Sequence, residues 1–359
     1  MTEEGIRSPL HDVQIAAGGD FMWEDGYPWA NGFGDTVAEY EAIRTGTGLW
    51  DLFSTCKYEV TGPDAARLIQ RRFTNDVSAM QPGSVRYGAF VNADGTMVDD
   101  GNVYRHADDR FWVFINTADL QDWFRESAGG LDAAIEHRTL DLPMISVQGP
   151  GSRDLLQGLT DADLSTLSYF RFWPDPVKVA GVPATVLRTG FSGEIGYELV
   201  TDLDSVGTLW DALNAAGGTP FGLDAIDIAR IEAGLIIIAL DYQPGEGTPF
   251  DVSMDRFVKP GTENVASEAL AAVTASPPRR LKTLTFSGDA PEAGTAVIRG
   301  GEEIGTVTSP TSSPRFGAIG LAVLRSDAAD DGTELEAGGA TATVAPLAIY
   351  DPEKTKPRG

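Results

Sequence analysis

The sequence predicts an α+β protein that ends in a small all-β unit. Up to about residue 280, short strands and short helices alternate without the regular βαβ repeat of a parallel sheet. Beyond Arg280 the texture changes to short alternating strands separated by Gly, Pro and Ser turns, as in a small barrel. At 359 residues the chain is too long for one ordinary domain and suits two or three.

The first fifty residues hold aromatics and glycines, then a helical stretch that ends near Gly46 or Gly48. Residues 50–60 alternate weakly and read as one strand. Gly62-Pro63-Asp64 is a turn that caps a helix with Ala65, Leu68 and Ile69 at helical spacing. Residues 102–105 and 111–115 form a hairpin across the polar turn at 106–109. A helix begins at Leu120, and residues 145–147 form a strand ending at Gly149-Pro150. Residues 152–159 form a short helix, and 177–187 a hairpin that turns at Gly181. Helices follow at 206–215 and 224–232. The apolar run Leu235-Ile236-Ile237-Ile238-Ala239-Leu240 reads as a buried element and is far too short to cross a bilayer. Residues 261–278 read as a helix and a linker.

Apolar residues make up 42% of the chain, enough for a sizeable core, but the net charge of −26 is extreme. Lysine occurs only at positions 57, 178, 259, 282, 354 and 356, while acidic pairs such as Asp108-Asp109 and Asp330-Asp331 are scattered throughout. Scattered carboxylates with few lysines read as a hydrated surface adapted to high salt, where screening relieves self-repulsion. They also argue against nucleic acid as a partner, because phosphates are repelled. The single cysteine, Cys56, excludes an intramolecular disulfide and suits a reducing cytoplasm. The polar, acidic start Met1-Thr2-Glu3-Glu4 has no signal-peptide pattern. The three histidines are far apart, and nothing has zinc, triad, dinucleotide or P-loop spacing.

The most informative stretch runs from Arg188 through Thr189-Gly190-Phe191-Ser192-Gly193-Glu194-Ile195-Gly196-Tyr197-Glu198 to Val200. A Gly-rich turn enters an alternating strand, with Gly196, Glu198 and Val200 on one face. A carboxylate inside an apolar strand is costly unless something pairs with it. The gap over Gly196 leaves room for a flat ring, and Glu198 offers two acceptor oxygens to a heterocycle with adjacent N–H and NH2 donors. The alternatives are an exposed glutamate on an edge strand or a salt bridge to Arg188. Asp99-Asp100 follows a Gly turn, and on an extended chain only one of the two faces a given cleft.

The 188–198 stretch resembles the R-x-G-Y-T-G-E-x-G-x-E motif of the glycine-cleavage T-protein (aminomethyltransferase) family. Other landmarks fall in that family's order: Gly48-Leu49-Trp50-Asp51, Thr74-Asn75-Asp76, Asn92-Ala93-Asp94-Gly95, Gln148-Gly149-Pro150, Arg230-Ile231-Glu232-Ala233-Gly234 and Thr248-Pro249-Phe250. The resemblance covers roughly residues 10–351. It implies three domains in a cloverleaf: a discontinuous folate-binding domain of residues 1–57 and 145–260, an inserted α+β domain of 58–144, a linker at 261–279 and a C-terminal β-barrel at 280–351.

The resemblance also implies tetrahydrofolate as cofactor, with Glu198, Tyr87, Tyr104, Asn116 and Phe191 around it and Asp100 as the catalytic group beside the reactive nitrogens. Phe191 replaces a family Tyr, keeping the ring and losing the hydroxyl. Three further departures concern the substrate. Ile226 stands where many members have Arg, Gly234-Leu235 where a Tyr is common, and Ser54-Thr55-Cys56 in place of Ser-His-Met. The implied reaction moves a one-carbon unit to tetrahydrofolate, in the T-protein version from the lipoyl arm of an H-protein. Alternatives are a folate-dependent demethylase of a small methylated substrate and a non-catalytic folate-binding protein assisting iron–sulfur cluster maintenance. The latter carries a Lys-Gly-Cys-Tyr-x-Gly-Gln-Glu motif that this chain lacks.

Overall fold

The computed structural model describes residues 5–24, 26–117 and 120–359. The first four residues of the acidic start lie outside them. Two sheets and a barrel organise the chain. The first sheet runs in the order Val177–Val179, Val182–Leu187, Gly196–Val200, Met144–Gln148, Gly48–Asp51, Thr219–Pro220. All its pairings are antiparallel except the last, and its strands come from both sides of the second sheet in sequence. The second sheet is fully antiparallel, in the order Ser84–Val91, Met97–Ala107, Arg110–Ile115, Cys56–Thr61, Ala134–His137. The closed six-stranded barrel runs from Arg279 to Ala345 around Leu284, Val297, Val307 and Leu324, the architecture that the alternating strands predict.

Register decides what each face does. In the first sheet, Leu49, Val147 and Tyr197 stand opposite one another and join an aliphatic core with Leu199, Leu209 and Trp210. The other face carries Trp50, Ser146 and Glu198 in one row. In the second sheet, Tyr58, Val60, Val103 and Val113 pack against Leu68 and Phe124 from flanking helices. Its opposite face presents Lys57, Phe114, Asn102 and Tyr87 in one row, and Trp112, Tyr104 and Val85 in the next. The two inward faces meet in a shared core of Trp50, Tyr104, Phe114, Leu187 and Val200.

The helix Leu223–Glu232 ties the barrel on. Its Arg230, fully buried, donates to Asp241 (2.5 Å) and to Ser309 of the barrel (2.7 Å). Glu232 accepts from Tyr40 (2.7 Å), Arg44 (2.7 Å) and Ser313 (2.6 Å). Charges removed from water are tolerable here because each has several hydrogen-bonding partners.

Two elements differ from the sequence reading. The expected strand over 50–60 is two strands, Gly48–Asp51 and Cys56–Thr61, split by a loop. Lys57 causes the break: its buried ammonium donates to the carbonyls of Leu52 (2.9 Å), Phe53 (3.1 Å) and Thr55 (2.7 Å) and folds the chain around itself. The run 235–240 is an irregular turn rather than a buried element. Ile236 is covered, but Leu240 is 49% exposed, and Gly234 and Ala239 adopt positive φ, which no strand or helix continues. A hairpin of Asp20–Glu24 with Tyr27–Gly32, not parsed in the sequence, precedes the first long helix, Thr36–Thr45.

Candidate functional site

Glu198 is buried in the first sheet, on the face turned toward the second. Its carboxylate accepts from Thr189 Oγ1 at 2.5 Å, and the Tyr104 hydroxyl and the Lys57 ammonium stand near it. Burial pushes its pKa above the usual carboxylate range, while Thr189, Lys57 and Tyr104 act against that rise. It is neither exposed nor paired with Arg188, whose guanidinium donates to the Gly196 carbonyl at 3.1 Å.

The gap over Gly196 is not open to a ring. Gln148 lies directly opposite Gly196, and its amide fills the space above both Gly190 and Gly196. A Cβ at Gly196 would lie 2.3 Å from Gln148 Nε2, and one at Gly190 2.3 Å from its Oε1. Ser192 donates to the Gln148 oxygen (2.7 Å), and the amide nitrogen donates to Ser146 (2.9 Å), beside Glu198. The glycines of the turn therefore enclose a buried amide that braces the strand carrying Glu198.

Asp100 is buried on the strand Met97–Ala107. One carboxylate oxygen accepts from Tyr87 at 2.7 Å and the other from Tyr242 at 2.5 Å. Burial first, then the neighbouring Asp99 charge, raise its pKa to about 7, and the two phenols oppose that rise. Asp99 points the other way and accepts from the backbone N–H of Asn116 and Thr117 and from Asn116 Nδ2 (3.0 Å). Asn116 also donates to the Asp100 carbonyl at 3.0 Å, so its amide fixes the Asp99-Asp100 pair from behind.

The same strand joins the two carboxylates. Asp100, Asn102 and Tyr104 alternate onto one face, which places Tyr104, the neighbour of Glu198, roughly 13 Å along the strand from Asp100. Asn102 sits between them, and its buried Oδ1 has no hydrogen-bond partner. Tyr104 is fully buried against Phe114 (4.8 Å between ring centroids) and Phe172 (5.7 Å). Tyr87 packs edge-on to Phe257 at 4.8 Å. Phe191 is half-buried against the shared core. Ile226 lies in that core as well, so no cation stands at its position.

Sequence reasoning missed four residues here. Tyr242 follows the apolar run and reaches Asp100 only through the fold. Lys57 is buried with a pKa lowered to about 7 by burial, against the pull of Cys56, Asp51 and Glu198. Thr189 and Asn102 carry no signal of their own, although strand parity puts Asn102 beside Asp100. Cys56 is buried 3.6 Å from His137, with burial raising its thiol pKa. Among the described residues, no cluster of His, Cys, Asp and Glu has metal-binding geometry, and no helix is long and apolar enough to cross a membrane.

Comparison with known proteins agrees with this architecture. The family model of the GCVT N-terminal domain matches residues 10–262, and that of the glycine cleavage T-protein C-terminal barrel domain matches 279–351. A probable aminomethyltransferase of Halobacterium salinarum is 38% identical over 343 residues, spanning 92% of this chain and 93% of that relative. An aminomethyltransferase of Bacillus subtilis is 33% identical over 345 residues, spanning 92% and 94%. The crystal structure of glycine cleavage system aminomethyltransferase T from Bartonella henselae has the same fold, with a TM-score of 0.87, 22% identity and coverage of 96% and 98%. With both family models matched in order and full-length relatives on each side, the chain belongs to the glycine-cleavage T-protein family.

Proposed function

We propose that the chain is an aminomethyltransferase that moves a one-carbon unit to tetrahydrofolate, with Glu198 and Asp100 at the two ends of the binding site. The observation that carries this reading is the row Asp100–Asn102–Tyr104, which faces inward and leads to Glu198. Its ends are two buried carboxylates, and its middle is an acceptor without a partner. A reduced pterin, with its ring N–H and NH2 donors, fits that set of acceptors. The ring edge with adjacent N–H and NH2 groups suits Glu198, and a further ring donor suits Asn102 Oδ1. Tyr104 and Phe191 supply apolar walls.

When bound, tetrahydrofolate supplies the nucleophilic nitrogens that accept the one-carbon unit. The work of this chain is orientation and charge. Glu198, held by Thr189, fixes the ring end. Asp100, with a pKa of about 7, holds or releases a proton near neutrality and, when ionised, stabilises positive charge developing on the donor amine. Tyr87 and Tyr242 lock its orientation, and Asn116 locks the backbone behind it.

The domain division is read as 1–57 with 145–260, then 58–144, 261–279 and 280–351. The donor is read as an aminomethyl group on the lipoyl arm of an H-protein, and the compartment as a cytoplasm rich in salt. The family relatives are named aminomethyltransferases, which favours this donor over a small methylated substrate. The test is turnover with aminomethylated H-protein and tetrahydrofolate, together with calorimetric folate binding. Folate binding that survives Glu198→Gln unchanged, or an H-protein that gives no turnover where a free methylated amine does, would overturn the corresponding part of the reading.

A further inference from the structure

Lys57 is the one fully buried lysine of the six in the chain, and every proton of its ammonium is used. Its three acceptors are neutral: the carbonyls of Leu52 at 2.9 Å, Phe53 at 3.1 Å and Thr55 at 2.7 Å. An ammonium has three N–H donors and an amine only two, so this geometry belongs to the charged form. Capping a loop does not by itself call for a charge. A neutral amide or hydroxyl satisfies carbonyls without the cost of taking a full charge out of water.

The charge faces the interface between the two sheets. Lys57 stands on the inward face of the second sheet, in the row with Phe114, Asn102 and Tyr87. Its Nζ lies 5.9 Å from the centre of the Phe114 ring, and that ring packs on Tyr104 at 4.8 Å. Glu198 faces the same interface from the first sheet. Thr189, Lys57 and Tyr104 all act to favour its ionised form, and Lys57 is the cation among them. The other titratable groups that act on Lys57 are Asp51 and Cys56. Asp51 has donors of its own in Ser8, Gln14 and the Phe53 N–H. Burial raises the Cys56 thiol pKa and so favours its neutral form.

We propose that Lys57 is a positioning residue for the Glu198 end of the site: its ammonium, held by the three loop carbonyls, keeps the buried Glu198 carboxylate ionised and an acceptor on both oxygens. A protonated Glu198 would turn one oxygen into a donor set against the ring donors. The same three hydrogen bonds tie the loop between the two sheets to that charge, so loop and carboxylate are set together. The consequence for binding rests on the folate reading of Glu198, whereas the effect on the carboxyl group does not.

Infrared difference spectra read the carboxyl group without folate. Each protein is compared at pH 6 with its own Glu198→Gln partner, which removes the Glu198 bands. Expected is a carboxylate in wild type and a protonated carboxyl in Lys57→Met. A protonated Glu198 in wild type, or an ionised one in Lys57→Met, would overturn the proposal. Calorimetry with tetrahydrofolate gives the second readout. Lys57→Met should bind about tenfold or more weaker than wild type at pH 6, the effect of about one unit in the Glu198 pKa. The gap should close to about threefold or less at pH 8, where Lys57, with a pKa of about 7, has lost its own charge. Asp100 titrates in both proteins and cancels in the ratio. A gap equal at the two pH values would mean that Lys57 only braces the loop, and would overturn the proposal. No folate binding by wild type would overturn the folate reading and leave the infrared result to decide on Lys57. Thermal melts establish that the variant is folded. Should Lys57→Met fail to fold, Lys57→Gln, which keeps two N–H donors for the loop carbonyls, replaces it in both arms with the same expectations.

Discussion

The Tyr242 hydroxyl donates to Asp100 Oδ1 at 2.5 Å, joining residues 142 positions apart. Tyr87 holds the other oxygen, so the carboxylate is clamped between two phenols inside an apolar shell. Without them, burial and the charges of Asp99 and Asp241 would carry its pKa still higher. Tyr242→Phe removes one donor to the charged form, an interaction of roughly 1.5–3 kcal/mol. Expected is an acid limb of the turnover profile moved upward by about one pH unit or more, at 1.36 kcal/mol per unit. An unmoved profile would show that Tyr242 is packing alone.

Asp100→Asn separates chemistry from binding. Expected is a loss of turnover of roughly 10²–10⁴-fold, the range of a positioned acid–base group, with folate affinity changed less than tenfold. The same variant tests the folded state. A carboxyl whose pKa is raised from 3.8 to about 7 by folding binds a proton in the native chain that the unfolded chain has lost. Its contribution to stability is therefore full below pH 3.8 and is lost as pH rises to about 7. Wild type should lose stability to unfolding by urea over that interval relative to Asp100→Asn, by a few kcal/mol at most. A flat difference across pH 4–8 would place the Asp100 pKa near its ordinary value.

Glu198→Gln keeps one acceptor but sets a donor against a ring donor. The expected cost to tetrahydrofolate binding is roughly 2–4 kcal/mol, as for breaking a buried charged pair. Asn102→Val, which deletes the unpaired acceptor while leaving the strand intact, should weaken binding by about 1 kcal/mol or more and leave the melting temperature unchanged or higher. Affinity equal to wild type in the valine variant would remove Asn102 from the site.

The sequence made the carboxylates legible because strand parity is local. Gly196, Glu198 and Val200 share a face whatever lies opposite, and Asp99 and Asp100 must diverge. The occupants of those faces were not legible, because each comes from a distant strand. Gln148 fills the space over Gly196 only because the register sets the two opposite each other. Tyr242 reaches Asp100 by a turn in which Ala239 takes φ +65°, in a stretch whose apolar composition suggested burial instead. Lys57 reads as an ordinary strand residue until its ammonium is seen to cap three carbonyls of the loop before it. The barrel was readable from its turns, whereas the interruption of the first sheet by the second was implied only by family resemblance.

Gly196→Ala tests the enclosed amide. The new methyl would meet Gln148 Nε2 at 2.3 Å, a distance that requires the amide to leave its place between the two glycines. Overpacking of this kind costs roughly 1–3 kcal/mol. Expected is a destabilisation of that size in urea melts together with weaker folate binding, because Gln148 braces Ser146 beside Glu198. The double variant Gly196→Ala/Gln148→Ala should recover much of the stability. A single variant as stable as wild type would mean that the amide moves freely.

Salt dependence tests the surface separately from the site. With 53 acidic and 27 basic residues, carboxylates repel one another across whole faces in dilute buffer, where the Debye length is ~30 Å. The buried pairs Arg44–Glu232 and Arg230–Asp241 are fully occluded from solvent and are little screened by added ions. A response to salt therefore reports the exposed carboxylates. Expected is a melting temperature that climbs steadily from dilute buffer to molar KCl by roughly 10 °C or more. That rise corresponds to several kcal/mol, at the ~2–4 °C per kcal/mol typical of domains of 150–250 residues. Replacing KCl by an equal osmolarity of sucrose should give much less, because sucrose does not screen charge. A cooperative melt in dilute buffer that moves only a few degrees in molar KCl would contradict adaptation to high salt, and it would leave Glu198, Asn102 and Asp100 where they stand.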